Sequence, residues 1–492
     1  MSFMVVVLWS DVLLFLLIGI CAFYGRLAAR HAHLRAPWVR MRKNASGMAA
    51  ATVLSAFALI GVLDSLHFRP LLESKPGTAG PARYSVEVKS VLDLLAQGVL
   101  GPMAGKSEKT YSAPLATHAF SRETVEVKGG DGQVKQMREF PRLANGGAHL
   151  KNPAAERAGD VAMHALRGVA LGLVGWLVLA FALLAAAATG TGAGGLAQTW
   201  RIAWSGTSEV PWRSILVTLL IICLLAGVTA TVGSRYHLLG TDKVGQDVLY
   251  LALKSVRTAL LIGTLTTLVM LPLGVMLGIA AGYFGGWIDD LIQYVYTTLN
   301  SIPGVLLIAA AVLMMQVTMD ANPGWFATAA ERADFRLLAL CFILGMMSWT
   351  GLCRLMRGEA LKLRELEYVQ AARAFGVSRL AIVVRHILPN VMHLVIISAV
   401  MDFSGMVLTE AVLSYVGVGV DPSMSSFGSM INAARLELSR DPMVWWSLAA
   451  AFFFMLSLVL AANLFADAVR DAFDPRLAVS GRRRRVAANA RA

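Results

Sequence analysis

The sequence predicts an all-α polytopic membrane protein, on three observations. Of its 492 residues, 57% are hydrophobic and 15% charged, against about 45–50% and about 25% in soluble domains. Nine apolar runs each approach the twenty or so residues that cross ~30 Å of hydrocarbon. The basic residues cluster in a few segments between those runs. Mean hydropathy is +0.62. A water-soluble globule is excluded.

The runs lie near 3–24, 47–66, 168–188, 213–234, 257–281, 288–317, 336–353, 393–416 and 444–466. Asp64 and His67 close the second run early. The first has no basic leader segment and carries Asp11 within it, so it reads as a retained anchor rather than a cleaved signal. The four cysteines, Cys21, Cys223, Cys341 and Cys353, lie in or at the end of apolar runs and form neither a disulfide framework nor a metal set.

Charge fixes the expected orientation. Segments 26–43, 354–385 and 467–492 hold six, seven and seven Lys or Arg, whereas 235–256, 318–335 and 417–443 hold three, one and two. Twenty against six is a positive-inside bias. Nine spans then place the N-terminus outside and the tail inside. Asp289 and Asp290 run against the trend, but acids weigh little in this rule. Trp212, Trp325, Trp445 and Trp446 are expected at membrane interfaces. The formal charge of +13 is therefore explained by cytoplasmic loops, and nucleic acid is not an expected partner.

The polar stretch 67–165 is too long for a connector and reads as a small α+β piece outside the membrane. "RETVEVKGGDGQVKQM" alternates around a turn at Gly129 to Gly132, as a hairpin does. "VKSVLDLLAQGVL" reads as a short amphipathic helix. Spans one and two, joined by a short basic loop, form a hairpin over 1–66, and 166–207 adds a third span and a linker.

Several patterns carry no chemistry. "GPMAGKS" at Gly101 to Ser107 is one residue short of a phosphate loop. The nine histidines, His31, His33, His386 and His393 among them, show no metal spacing, and no nucleophile–base set appears. No cofactor and no metal is expected. Gly274, Gly278 and Gly282 recur every four residues, as close helix packing requires, with a hinge as the other reading. Pro272 upstream implies a kink.

After the seventh run comes "RGEALKLRELEYVQAARAFGVSRLAIVVRHILPN". Small residues at 371, 372, 374 and 376 leave a bare patch on a short helix, Gly376 offers a helix stop, and Pro389 should prevent helix continuation into the next span. The residues alone allow a docking helix or an ordinary interfacial one.

This stretch resembles the cytoplasmic EAA loop of bacterial ABC-importer permeases. Gln370 stands at the usual Glu and His386 at the usual Ile, as in the dipeptide/oligopeptide/nickel branch. "LLGTDKVGQDVL" is similar to that branch's GTDxxGRD segment, with Gln246 at the Arg. "AGYFGGWIDD", "LNSIPGVLL" and "LTEAVLSYVGVGVDPSMSSFGSMI" resemble further segments, the last with Phe427 at the usual Trp. "NLFADAVRDAFDPR" resembles the C-terminal signature, with Ala466 at the usual Gly. The likeness covers roughly 208–476, before a basic tail at 477–492.

The resemblance implies a type I core of six spans, here with about three extra N-terminal spans and the periplasmic insertion. It implies the second, C-type permease subunit of an inner-membrane importer, without catalysis of its own. Expected partners are a second permease, two cytoplasmic ATPases, a periplasmic solute-binding protein and the bilayer. Coupling would run through 359–389, with Gln370, Ala371, Ala372, Gly376, Leu388 and Pro389 as its residues. Peptides are the expected cargo, with a nickel chelate, a sugar or an opine as alternatives. A membrane-anchored docking or sensor protein is the reading from another class.

Asp402 and Glu410, about 80° apart around one helix, and Asn300 are the pathway candidates. Ionisable groups at such depth face a bundle interior or a watery path. Residues 1–200 are expected to be separable, serving as a docking site for the binding protein or as a collar on the partner permease.

Overall fold

The computed structural model describes residues 3–71, 84–99, 108–128, 134–191, 196–205 and 208–473. The glycine-lysine run at 101–107, the turn at 129–132 and the tail from 477 lie outside the described residues.

The chain opens on a strand, which corrects the helix expected from residue 3. β1 (Phe3–Val6) is followed by α1 (Trp9–Arg30), α2 (Ala32–Met41), α3 (Ala45–Asp64) and β2 (His67–Pro70). Phe3, Val5 and Val6 favour extended backbone, and β1 pairs antiparallel with β2, Phe3 opposite Pro70. The expected basic loop after α1 is largely helix, namely α2. β3 (Lys89–Ser90) completes a three-stranded sheet ordered β1-β2-β3. α4 (Val91–Val99) is the expected amphipathic helix. It is capped reciprocally: Ser90 N–H donates to Asp93 Oδ2 at 2.8 Å, and Asp93 N–H donates to Ser90 Oγ at 3.2 Å. β4 (Glu123–Lys128) and β5 (Val134–Glu139) form the expected antiparallel hairpin.

α5 (Pro153–Thr191) starts well before the apolar run at 168, because Pro153 is preorganised for a first helical position. It is followed by α6 (Leu196–Ser205), α7 (Trp212–Gly233) and α8 (Val248–Phe284), which runs unbroken past Pro272. The span expected over 288–317 is two helices, α9 (Gly286–Ser301) and α10 (Gly304–Ala321). Pro303 drives the preceding residue out of helical space, and Ile302 is extended at φ −96°, ψ 135°. α11 (Ala329–Ser348) and α12 (Thr350–Arg364) meet at a 42° bend. The chain continues through α13 (Glu367–Ala374), α14 (Arg379–Ile382), a π-helical segment Val383–Ile387, α15 (Leu388–Val416), α16 (Phe427–Arg435) and α17 (Trp446–Phe473). Among the described residues, eight helices are long and apolar enough to cross a membrane, or nine if the bent pair is one span.

The chain divides into two compact units. The first gathers Met1–Asp11, Ala51–Thr258 and Pro422–Leu458. Here α5 and α7 approach backbone to backbone at Gly168, Gly172 and Gly227. A Cβ on Gly172 would lie 2.5 Å from the Cys223 carbonyl oxygen. Trp446 is not interfacial: it is 3% exposed, donates from Nε1 to the Thr241 carbonyl at 2.9 Å, and meets the Phe120 ring edge-on.

In the same unit His237 is fully buried between two carboxylates, Asp247 Oδ2 at 2.7 Å and Glu108 Oε1 at 3.6 Å. Burial opposes its charge, but the two carboxylates win and lift it to about 9. Burial likewise opposes ionisation of Glu108, yet His237 and the N–H groups of Asn145 and Ala144 hold its carboxyl below the usual range. A segment before the hairpin is thus tied to the loop "GTDKVGQD". Thr241 N–H donates to the Ser112 carbonyl at 3.0 Å, and Ser112 N–H donates to Thr241 Oγ1 at 2.7 Å.

The second unit holds Val12–Ala50, Ala259–Asp421 and Val459–Ala492. Within it Gly274, Gly278 and Gly282 lie against α12. Cβ atoms there would come 2.9 Å from Leu352, 2.6 Å from the Cys353 carbonyl and 2.5 Å from the Arg357 carbonyl. Side chains larger than hydrogen cannot enter that contact without separating the helices.

Candidate functional site

The loop 359–389 is built around a helix stop. α13 ends in a Schellman motif: Val377 N–H reaches the Ala372 carbonyl at 3.1 Å and Gly376 N–H the Arg373 carbonyl at 3.1 Å. The motif needs a left-handed residue, and Gly376 supplies φ +77°. Ser378 then caps α14, accepting from Ala381 N–H at 3.4 Å.

Pro389 does not interrupt the helix, contrary to the sequence expectation. Between α14 and α15 the backbone widens to a π-helical turn, in which Leu388 N–H bonds the Val383 carbonyl. Pro389 then falls in the first turn of α15, where its missing N–H costs little. The chain from Arg379 to Val416 is helical throughout.

One face of the loop is anchored. Val369, Ile382 and Ile387, at 2%, 0% and 0% exposure, enter a cluster with Val275 and Ile279 of α8, Met356 and Ala360 of α12, and Val391 of α15. Ala372 and Leu388 pack half-buried against it. The opposite face is open: Gln370, Ala371, Gly376 and Pro389 are all exposed. Two residues that the sequence reading passed over dominate that face, Phe375 at 87% and Leu380 at 69% exposure. Their signal was available: bulky apolar residues flanking a helix stop in a basic loop. Beside them a groove of about 740 Å³ is lined by Tyr283, Arg364, Gln370, Arg373 and Arg379 among others. Gln370, on its lining, donates from Nε2 to the Glu365 carbonyl at 3.2 Å. An apolar tip thus stands near a groove lined by three arginines and one glutamate.

The three polar residues proposed for a pathway have different surroundings. Glu410 is 1% exposed and accepts a hydrogen bond from Ser414 Oγ at 2.5 Å. Asp402, half-buried on the same helix, has no hydrogen-bond or ion-pair partner among the described residues. Asn300 is exposed at the end of α9 and accepts from Thr350 Oγ1 at 3.3 Å.

Eight or nine helices long and apolar enough to cross a membrane, among the described residues, define a polytopic membrane protein. Residues 274–479 match the family described as the binding-protein-dependent transport system inner membrane component. The oligopeptide transport system permease protein OppC of Mycobacterium bovis is 33% identical over 239 residues, 49% of this chain and 76% of that protein. The glutathione transport system permease protein GsiD of Pectobacterium atrosepticum is 34% identical over 244 residues, 50% of this chain and 74% of that protein. A solved structure of the inward-facing MetNI methionine ABC transporter is similar over 46% of this chain and 97% of its own, at 17% identity and a TM-score of 0.33. The chain belongs to the family of binding-protein-dependent ABC permeases. Its members are non-catalytic membrane components of transporters. Residues before 274 lie outside the family match.

Proposed function

We propose that this chain is the second, C-type permease subunit of a peptide importer and lines half of its translocation pathway. It pairs with another permease, receives cargo from a periplasmic solute-binding protein, and engages two cytoplasmic ATPases through 359–389. The peptide cargo rests on relatives named for oligopeptide, dipeptide and glutathione transport. A nickel chelate, a sugar or an opine is the second choice. A docking or sensor protein is disfavoured, because nothing in that role needs the loop.

The observation that carries this reading is the two-faced loop. Buried Val369, Ile382 and Ile387 fasten α13 and α14 to α8, α12 and α15, so a push on the exposed face moves span helices rather than a slack connector. ATP hydrolysis takes place in the partner subunits, and this chain transmits the motion. In this reading Gln370, Ala371, Ala372, Gly376, Leu388 and Pro389 form the coupling element, and Gly274, Gly278 and Gly282 keep α8 tight against α12. Asp402, Glu410 and Asn300 are the pathway groups.

We place six spans in the core 208–476, with about three more over 1–66 and 166–207, 67–165 in the periplasm and 477–492 in the cytoplasm.

Phe375→Ala tests the coupling reading. The ring is 87% exposed, so the variant should melt like the parent, yet recover several-fold less ATPase in co-purification and transport more slowly. Full ATPase recovery and parental transport would refute the coupling role of this face.

A further inference from the structure

The N-terminal end of α8 carries two cations one turn apart, Lys254 and Arg257, on one helix face. Arg257 is 6% exposed. Its Nη2 donates to Asp11 Oδ1 at 2.7 Å and to Ser10 Oγ at 3.1 Å, and its Nε to Ser65 Oγ at 3.0 Å. The other Asp11 oxygen meets His67 Nδ1 at 2.8 Å. Lys254 Nζ lies 2.9 Å from Asp93 Oδ1 and 3.6 Å from Asp64 Oδ1. Asp93 also accepts from Tyr250 OH at 2.7 Å, and Asp64 from Ser90 Oγ at 2.7 Å.

Every acid in this network comes from the first 99 residues: Asp11 from α1, Asp64 from α3 and Asp93 from α4. Each sits at an end of its helix, and those ends converge on one stripe of α8. Cations on an apolar helix are costly unless paired, and α8 itself supplies no acid between 248 and 284. The same compact unit holds both the first residues of the chain and 422–458.

We infer that the N-terminal extension is a counter-charge brace for α8, an intramolecular partner whose three acids neutralise Lys254 and Arg257 at their place in the fold. Extension and core are then one permease, and the extension is not an accessory that can be removed. This inference stands in place of the expectation that 1–200 are separable. It does not depend on the cargo or on the coupling loop.

The test is a double-mutant cycle in the full-length chain, read by melting temperature and by recovery of monodisperse protein. Asp93→Asn keeps the size and the neutral hydrogen bonds but leaves Lys254 without its nearest charge. It should lower the melting temperature by several degrees. Adding Lys254→Met, which removes the cation and keeps the stem, should return part of that loss, because the cation that lost its nearest counter-charge is gone and Asp64 keeps its hydrogen bond from Ser90. The reciprocal swap of Asp11→Arg with Arg257→Asp should likewise recover at least several-fold more protein than either single change. Additive losses in the Asp93–Lys254 cycle, or an Asp93→Asn variant that melts like the parent, would overturn the brace.

Discussion

Arg357 on α12 grips Asp289 on α9 with two parallel hydrogen bonds, Nε to Oδ1 at 2.6 Å and Nη2 to Oδ2 at 2.7 Å. The planar guanidinium matches a carboxylate in this way, and an ammonium cannot. The pair fixes α9 to the helix that leads into the loop 359–389. Arg357→Lys should therefore melt a few degrees lower although charge is conserved, with loss of a charge-assisted bond costing about 1.5–3 kcal/mol. Identical melting curves for parent and Lys variant would show that the second bond contributes nothing.

Gly376 separates backbone strain from docking. Its φ is +77°, and a Cβ there would meet nothing within 4 Å. Gly376→Ala should cost about 1–2 kcal/mol of local strain and still bind ATPases. Gly376→Asp adds a charge that must be desolvated at the docked face, so ATPase co-purification should be lost while insertion in the membrane persists. Normal transport by the Asp variant would remove this loop from the coupling assignment.

Glu410 is buried and bonded to Ser414, whereas Asp402 has no hydrogen-bond or ion-pair partner among the described residues. Glu410→Gln keeps shape and hydrogen bonding but drops the charge, and Asp402→Asn does the same at a half-open position. A pathway role requires slower uptake at saturating binding protein from either change. Uptake unchanged in both, with a lower melting temperature only for Glu410→Gln, would leave Glu410 as a structural residue.

His237 makes stability depend on pH. Its folded value is about 9, against an ordinary 6.5, so its contribution is complete below pH 6.5 and is lost as pH rises through 9. Glu108, held low, contributes above the usual Glu range and loses that share as acid protonates it. The melting temperature should therefore fall between pH 6.5 and 9, and His237→Gln should flatten that limb. A parental curve that is level across the interval contradicts the charged His237.

Topology is open to direct labelling. Single cysteines at Ser2 and Gly130 should react with an impermeant maleimide in intact spheroplasts, and one at Ala490 should not. Reaction at 490, or protection at 130, would reverse the assigned orientation.

The membrane class, the β4–β5 hairpin, the α4 amphipathic helix and the left-handed stop at Gly376 were all legible in the chain. Each depends on local chemistry: apolar length, alternation, or the lack of a Cβ. The helix limits that failed did so for equally local reasons, acting against distant partners. Phe3–Val6 is apolar enough for a span but finds a strand at His67–Pro70. Pro389 looks like a terminator, yet a π-helical turn five residues long absorbs it. Trp446 looks interfacial and is instead sealed by Phe120 and Thr241.

Sequence by itself determined the kind of protein this is, because hydropathy and charge placement act along the chain and do not require a partner in space. It also showed Asp11 as a charge within an apolar run. Which charge meets which was decided only by the tertiary structure. Asp11 and Arg257 lie 246 positions apart, Glu108 and His237 lie 129 apart, and no periodicity connects such positions. Coulomb attraction at under 4 Å in a poorly screened environment selects one pairing once the helices have packed, and that selection is invisible in one dimension.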